Sequence, residues 1–267
     1  MYVLLFGTPH LYYIELPGIL GLPNQVWSRA NMWNDFYLLN NHKNTEVIYD
    51  TGEIDYSMVV LNVMNGKEVE NYPSWGSVTT DYLMYYFHQN EVLSTTDETT
   101  DEAIVTLTTG ASPGITGGIA YIGTTVQAYI DVQKPVFMHH LDRTYGAVFI
   151  TKMNDFSGYR YRGVPEVSLT FKTPSTNGTF VVYMLGVDHW GWGHLFTFTP
   201  WTYKNMIVND VVTMTMPLTL TVYDMPKDYR LGVVIATHDY PLYMDQNVAD
   251  SKIEIISGSV KVPLNKP

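Results

Sequence analysis

Three consecutive pieces decide how this chain reads: VSLTFK at 167–172, TPSTNG at 173–178 and TFVVYMLGV at 179–187. The first and third are rich in β-branched and aromatic residues and too short for helices of ordinary length. The piece between them carries Asn177-Gly178, a dipeptide suited to a hairpin turn. Strand, turn, strand is therefore the local reading. Outward from it the same pattern recurs at 194–199, 211–216, 219–223, 231–238, 252–257 and 259–262, with turns at Pro226-Lys227-Asp228 and Ser257-Gly258. Upstream, strands are expected at 58–64, 81–88, 104–109 and 136–139, with turns at Asn65-Gly66 and Gln89-Asn90. The glycine-rich segment 110–123, with Pro113, reads as a long loop. Many short strands punctuated by turn signals imply a mainly β sandwich or jelly roll.

The first fifty residues differ. YVLLF at 2–6 is a short, wholly apolar run of the kind buried on both faces in a parallel α/β sheet. It ends at Gly7-Thr8-Pro9-His10, which leaves His10 just beyond the strand. After a loop holding Pro17, Gly18, Gly21 and Pro23, residues 24–39 place Val26, Ala30, Trp33 and Tyr37 at helical spacing. The expected organisation is an α/β piece over 1–50, strand, loop and helix, followed by a β-sandwich over 51–267.

Composition narrows the function. Of 267 residues 46% are hydrophobic and 14% aromatic, enough to pack a core. Only 15% are charged, against about 25% in an average domain. Tyrosines (21) outnumber lysines and arginines together (15), and the formal charge is −11. Nucleic-acid phosphates and anionic lipid are poor partners for such a surface. The chain has no cysteine, so disulfides, thiolate metal sites and a cysteine nucleophile are excluded. Low charge suits an extracellular or cell-surface protein, because fewer ionisable groups change charge with pH, with a cytoplasmic location as the alternative. The run at 2–6 lacks a basic flank and is too short for a signal peptide, and no run approaches a membrane span. A start in mid-strand points to a fragment or to one product of a split gene.

From 162 to 264 the chain resembles the C-terminal, non-catalytic domain of the X-Pro dipeptidyl-peptidase, cocaine esterase and glutaryl-7-ACA acylase serine hydrolases. Gly163-Val164-Pro165 leads into a strand as the family's opening does. Arg230-Leu231, the alternating residues after it and Asp239-Tyr240-Pro241 match an R-L…D-x-P phrase, although Asp228-Tyr229 stands where the family has Gly-His. The end, GSVKVPL at 258–264, is similar to the family's closing strand. Upstream, VLNVMNG at 60–66 with Tyr72-Pro73, DYLMYYF at 81–87, the Leu93-Ser94-Thr95 turn and Pro113…Gly117-Gly118 follow the family order. VLLFGTPH at 3–10 resembles the phrase that carries the family's triad histidine, without its Trp, and WNDFYL at 33–38 the helix that leads into the β domain. The resemblance implies a jelly-roll, galactose-binding-like sandwich that walls the cleft of a serine hydrolase acting on esters, amides or X-Pro peptides. It implies an α/β-hydrolase catalytic segment or subunit as partner, no cofactor, and His10 as the one triad member this chain supplies.

A Ser–His–Asp centre needs its serine on a strained elbow, usually G-x-S-x-G. No such phrase is present; Gly114-Ile115-Thr116-Gly117-Gly118 puts a Thr at its centre and lies in a loop. His10 is thus either the general base of a centre completed elsewhere or an ordinary loop histidine. His139-His140 would point to opposite faces of a regular strand and cannot ligate one ion from it. Asp188, His189 and His194 around a hairpin tip have a donor set that Zn²⁺ accepts, but a Gly- and Trp-rich tip needs no metal, and none is assigned. The same tip, WGWG at 190–193, presents Trp190 and Trp192 as candidate ligand-binding residues, because exposed aromatic faces stack on sugars or plug a partner's pocket. The stronger expectation is that these aromatics, the tip's tryptophans with Phe196, Phe198 and Trp201 beside them, mostly pack the sandwich or the hydrolase contact. The acidic run Asp97, Glu98, Asp101, Glu102 reads as a solvated loop, and Asn177-Gly178-Thr179 as both a glycosylation sequon and a plain turn. The competing function is a non-catalytic extracellular binding or self-assembling module, with which a homo-oligomer is compatible.

Overall fold

The computed structural model describes residues 59–65, 69–97, 102–115, 135–152, 159–239 and 247–265. The α/β piece expected over 1–50, His10 included, lies outside them. Among the described residues there are fifteen strands and no α-helix. They are β1 (Val59–Asn62), β2 (Val69–Tyr72), β3 (Asp81–His88), β4 (Val92–Ser94), β5 (Val105–Thr108), β6 (Val136–Phe137), β7 (Gly146–Thr151) and β8 (Tyr159–Gly163). The series continues with β9 (Glu166–Lys172), β10 (Gly178–Val187), β11 (Trp192–Tyr203), β12 (Val211–Pro217), β13 (Thr221–Met225), β14 (Arg230–Ala236) and β15 (Lys252–Leu264).

Their pairing runs β12-β9-β15-β3-β4-β7-β14-β10-β11-β6, with β5 and β8 on β15, β13 on β8, and β1 with β2 as a separate hairpin. All pairs are antiparallel except β4 with β7. The path curls over on itself, so strands far apart along it meet face to face as a jelly-roll sandwich. Phe171 of β9 packs edge-on against Phe180 of β10 with centroids 4.9 Å apart. Nearer along the path, Phe87 of β3 stacks on Phe149 of β7 at 4.5 Å, both strands being partners of the short β4. Around these lie Leu93, Leu107, Val167, Leu169, Leu231, Val233, Ile253, Ile255 and Val260, all essentially without solvent contact.

Strand β10 shows why the centre of the sheet is an unbroken apolar run. All ten of its residues are buried. Phe180, Val182 and Met184 enter the sandwich core, whereas Val181, Tyr183, Leu185 and Val187 enter a second core on the opposite face. That second core is closed by Ile115, Met138 and Leu141 from connecting segments. A strand covered on both sides gains nothing from polar alternation. Opposite the register shift between Met184 and Leu185, Phe196 is the extra residue of a β-bulge. The bulge delivers its ring into the core, stacked on Tyr223 at 4.7 Å.

Three local expectations are corrected. Ser257-Gly258 is no turn: β15 runs unbroken through it. Gly258 is needed there because a Cβ would come within 2.5 Å of Phe87 and 2.9 Å of Leu169. Leu93 and Ser94 lie in β4, which the tight turn at Asn90-Glu91 (φ 61° and 63°) folds back onto β3. The strand expected at 136–139 stops at Phe137, and Met138–His140 forms one 3-10 turn that buries Met138. Strands β2, β7 and β8 were not expected at all.

Candidate functional site

The β10–β11 hairpin ends in Asp188-His189-Trp190-Gly191-Trp192-Gly193. Its shape is set by one carboxylate. Asp188 Oδ1 accepts the backbone N–H of Trp190 at 2.9 Å and of Trp192 at 2.8 Å, an Asx-type closure that the backbone repeats through Asp188 N–H donating to the Trp192 carbonyl at 2.9 Å. Gly191 sits at φ +87°, where a side chain is strained, and a Cβ there would meet His139 at 3.2 Å. The tip is then tied to β6: Met138 N–H donates to the Gly191 carbonyl at 2.9 Å, and Trp192 pairs with Phe137.

The result is a fixed aromatic surface. Phe137 lies at its base, 4.9 Å from Trp192, 5.3 Å from His139 and 4.8 Å from His140, measured between ring centroids. Because the histidines occupy a 3-10 turn and not a strand, both rings reach the same phenylalanine. His189 leans on Trp190 at 4.6 Å. Trp190 is 70% exposed and Trp192 41%. His194 is turned away, stacked on Tyr229 at 5.4 Å, and burial lowers its pKa against the opposing pull of Asp188. The Asp188–His189–His194 grouping weighed as a metal site is thus not assembled, and among the described residues no three His, Asp or Glu side chains gather to hold a metal. Phe196 and Phe198 pack inward, and Trp201 is partly buried against the core.

A second cluster had no advance signal as a site. Arg162 on β8 is a fully buried cation (0% exposed) at the seam between the β8–β13 pair and the β1–β2 hairpin. Its Nε and Nη2 donate to the two carboxylate oxygens of Glu70, at 2.6 and 2.8 Å, and Nη2 also donates to Asp224 Oδ1 at 2.7 Å. Nη1 donates to the Tyr161 carbonyl at 2.9 Å. Arg160 and the Tyr72 hydroxyl donate to Glu70 as well. The Arg162 guanidinium is the first cause of a Glu70 pKa lowered from 4.5 to about 2, with burial opposing it. Its charges are spent on one another across the seam, which makes it a structural clamp. The strand pattern YRYRG at 159–163 carries the one readable trace, arginines alternating with core tyrosines.

Of the other expectations, Asn177 holds its turn by accepting the Asn205 N–H at 3.1 Å, and Thr179 is buried. The Gly114–Gly118 phrase and the acidic run lie only partly within the described residues. No helix among the described residues is long and apolar enough to cross a membrane.

No family model matches the chain, and no curated protein matches it in sequence. Solved structures do. An aminopeptidase from the marine sediment archaeon Thaumarchaeota archaeon superposes with a TM-score of 0.67 at 15% identity, over 90% of this chain and 44% of its own. An alpha-amino acid ester hydrolase gives 0.66 at 12% identity, over 87% and 44%. A CocE/NonD family hydrolase from Staphylococcus aureus gives 0.56 at 11% identity, over 92% and 47%. The chain thus spans less than half the length of each of these structures. At such identities the likeness establishes the fold, and the fold is the β-sandwich found in hydrolases of the CocE/NonD kind.

Proposed function

We propose that this chain is the C-terminal, cleft-walling and stabilising part of a serine hydrolase that cleaves esters, amides or X-Pro peptides. The observation that carries this reading is the match over nine-tenths of the chain to less than half of an enzyme chain. Such a pairing is what a sandwich working beside a separate α/β catalytic segment would give. On this reading the serine and the acid belong to that catalytic segment. His10 supplies the general base: it follows the short apolar run 2–6, in the phrase that resembles the family's triad histidine. The low charge of the surface supports an extracellular or cell-surface location.

The test is the composition and activity of native material containing this sequence. The reading expects a catalytic segment, on a longer polypeptide or on a tightly bound second one, and hydrolysis of nitrophenyl esters or X-Pro anilides. His10→Gln should lower that hydrolysis by about a thousandfold or more, the scale of losing a triad base. Full activity in His10→Gln would remove the histidine from the chemistry. A lone 30.4 kDa chain without hydrolytic activity would remove the reading altogether.

A further inference from the structure

We infer that the Trp190–Trp192 tip is a binding platform for neutral polysaccharide, specifically for chains of equatorially substituted pyranose rings. Four observations carry this, none of which depends on the hydrolase reading.

The first is exposure. Many phenylalanine and tyrosine side chains of this domain pack the two cores, whereas the largest apolar side chain available stands 70% exposed at 190 and again 41% exposed at 192. The second is rigidity. Asp188 Oδ1 holds both tryptophan N–H groups, Gly191 turns at φ +87° against His139, and β6 clamps the tip from one side. A ligand that stacks on a fixed tip loses less freedom to ordering than one that must organise a loop. The third is the backing of the rings. Phe137 leans on Trp192 and His189 on Trp190, so the exposed area belongs to the remaining faces and edges of the indoles.

The fourth is the chemistry of the rim. His139, His140 and His189 are exposed around the indoles, each able to donate and to accept when neutral. Asp188 is occupied with the backbone. No lysine or arginine lies within 188–194 or 136–140. The cation that reaches this turn, Arg143, is spent on Glu91 and on the Met138 and Leu141 carbonyls, so a phosphorylated or carboxylated ligand would meet a committed guanidinium and a chain of net charge −11. An equatorially substituted pyranose has the opposite character: a face of C–H groups for the indole and a ring of hydroxyls for the imidazoles. Its fit needs no charge.

The experiment titrates the full chain with cellohexaose, xylohexaose and N-acetylchitohexaose, following tryptophan fluorescence and heat. The expected result is saturable binding of at least one of the three, weakened at least tenfold by Trp190→Ala and by Trp192→Ala. Both variants should keep the wild-type melting temperature within about 2 °C, because exposed side chains away from packed features contribute little to stability. Asp188→Ala should also lose binding with both tryptophans intact, and Asp188→Asn, which keeps an acceptor oxygen for the two N–H groups, should restore most of it. Binding equal in wild type and tryptophan variants would overturn the proposal. So would absence of binding to all three sugars, including the case in which the tip proves to be covered by a co-purifying protein.

Discussion

Replacing Glu70 by Gln tests whether the β1–β2 hairpin is held to the sandwich by charge. The substitution keeps the shape and removes the anion that pairs with a guanidinium of zero exposure. Asp224 alone remains, and its side chain is 43% exposed, so it compensates poorly. Two routes give the size of the effect. Removing one partner of a buried pair costs about 3–5 kcal/mol. Independently, the fall of the Glu70 pKa from 4.5 to about 2 corresponds to about 3 kcal/mol, at about 1.4 kcal/mol for each tenfold change in proton affinity. The carboxylate keeps some contact with water (12% exposed), which brings the expected cost to about 2–3 kcal/mol. The sign in pH follows from a folded pKa below the unfolded one. This stabilisation is complete above about pH 4.5 and is lost as pH falls from there towards 2, with about 2 kcal/mol of it gone by pH 3. Urea unfolding followed by tryptophan fluorescence should show the Glu70→Gln midpoint lowered by about 1 M at pH 6, taking a slope of about 2–3 kcal/mol per M. The gap to wild type should narrow to about 1 kcal/mol at pH 3 and close only towards pH 2. In the double variant with Arg162→Met, which withdraws the stranded cation, the loss should fall short of the sum of the two single losses by about 2 kcal/mol or more. A cost below about 1 kcal/mol at pH 6, or a gap that does not change between pH 6 and pH 3, would refute the electrostatic account.

Three further outcomes rest on packing. Gly258→Ala drives a methyl into Phe87 and Leu169 in the middle of β15 and should cost about 1–3 kcal/mol in the same unfolding assay. Gly163→Ala meets both a φ of +132° and Pro263 at 2.9 Å, so it should destabilise by at least as much, with its effect seen as faster amide exchange in β8 and β13. Phe149→Ala removes the ring stacked on Phe87 and should lower stability by about 3–5 kcal/mol. Near-neutral results in melting experiments on these variants would show that these contacts do not form as described.

The β-sandwich was legible because strand signals are local. DYLMYYFH at 81–88 is β3 to the residue. Asn177-Gly178 does mark where β9 gives way to β10, but the hairpin expected there is not formed: β9 pairs with β12 and β15 and β10 with β11 and β14, so the turn carries the chain from one side of the sandwich to the other. Position 258 was not legible: a serine-glycine pair reads as a turn unless one knows that Phe87 and Leu169, both distant in sequence, press on that glycine. Strand β7 was missed because GAVFIT follows a loop and finds its partners in β14 and, in parallel, β4. At the tip, the exposed tryptophans were readable from WGWG, but the gathering of His139 and His140 on Phe137 was not. It depends on a 3-10 turn that places both rings against one phenylalanine, where a strand would have separated them. The Arg162 clamp shows the same limit. Its partners at 70 and 224 are brought together only by the β1–β2 hairpin crossing β8 and β13, a long-range arrangement with no short motif.

The central claim, a sandwich in the service of a serine hydrolase, is tested most directly by treating native material containing this sequence with a fluorophosphonate probe and resolving it on a denaturing gel. The account predicts label on a longer polypeptide that includes this sequence, or on a second polypeptide that co-purifies with it, blocked by prior treatment with a serine-directed inhibitor. An intact 30.4 kDa chain with no labelled polypeptide in its company would contradict it.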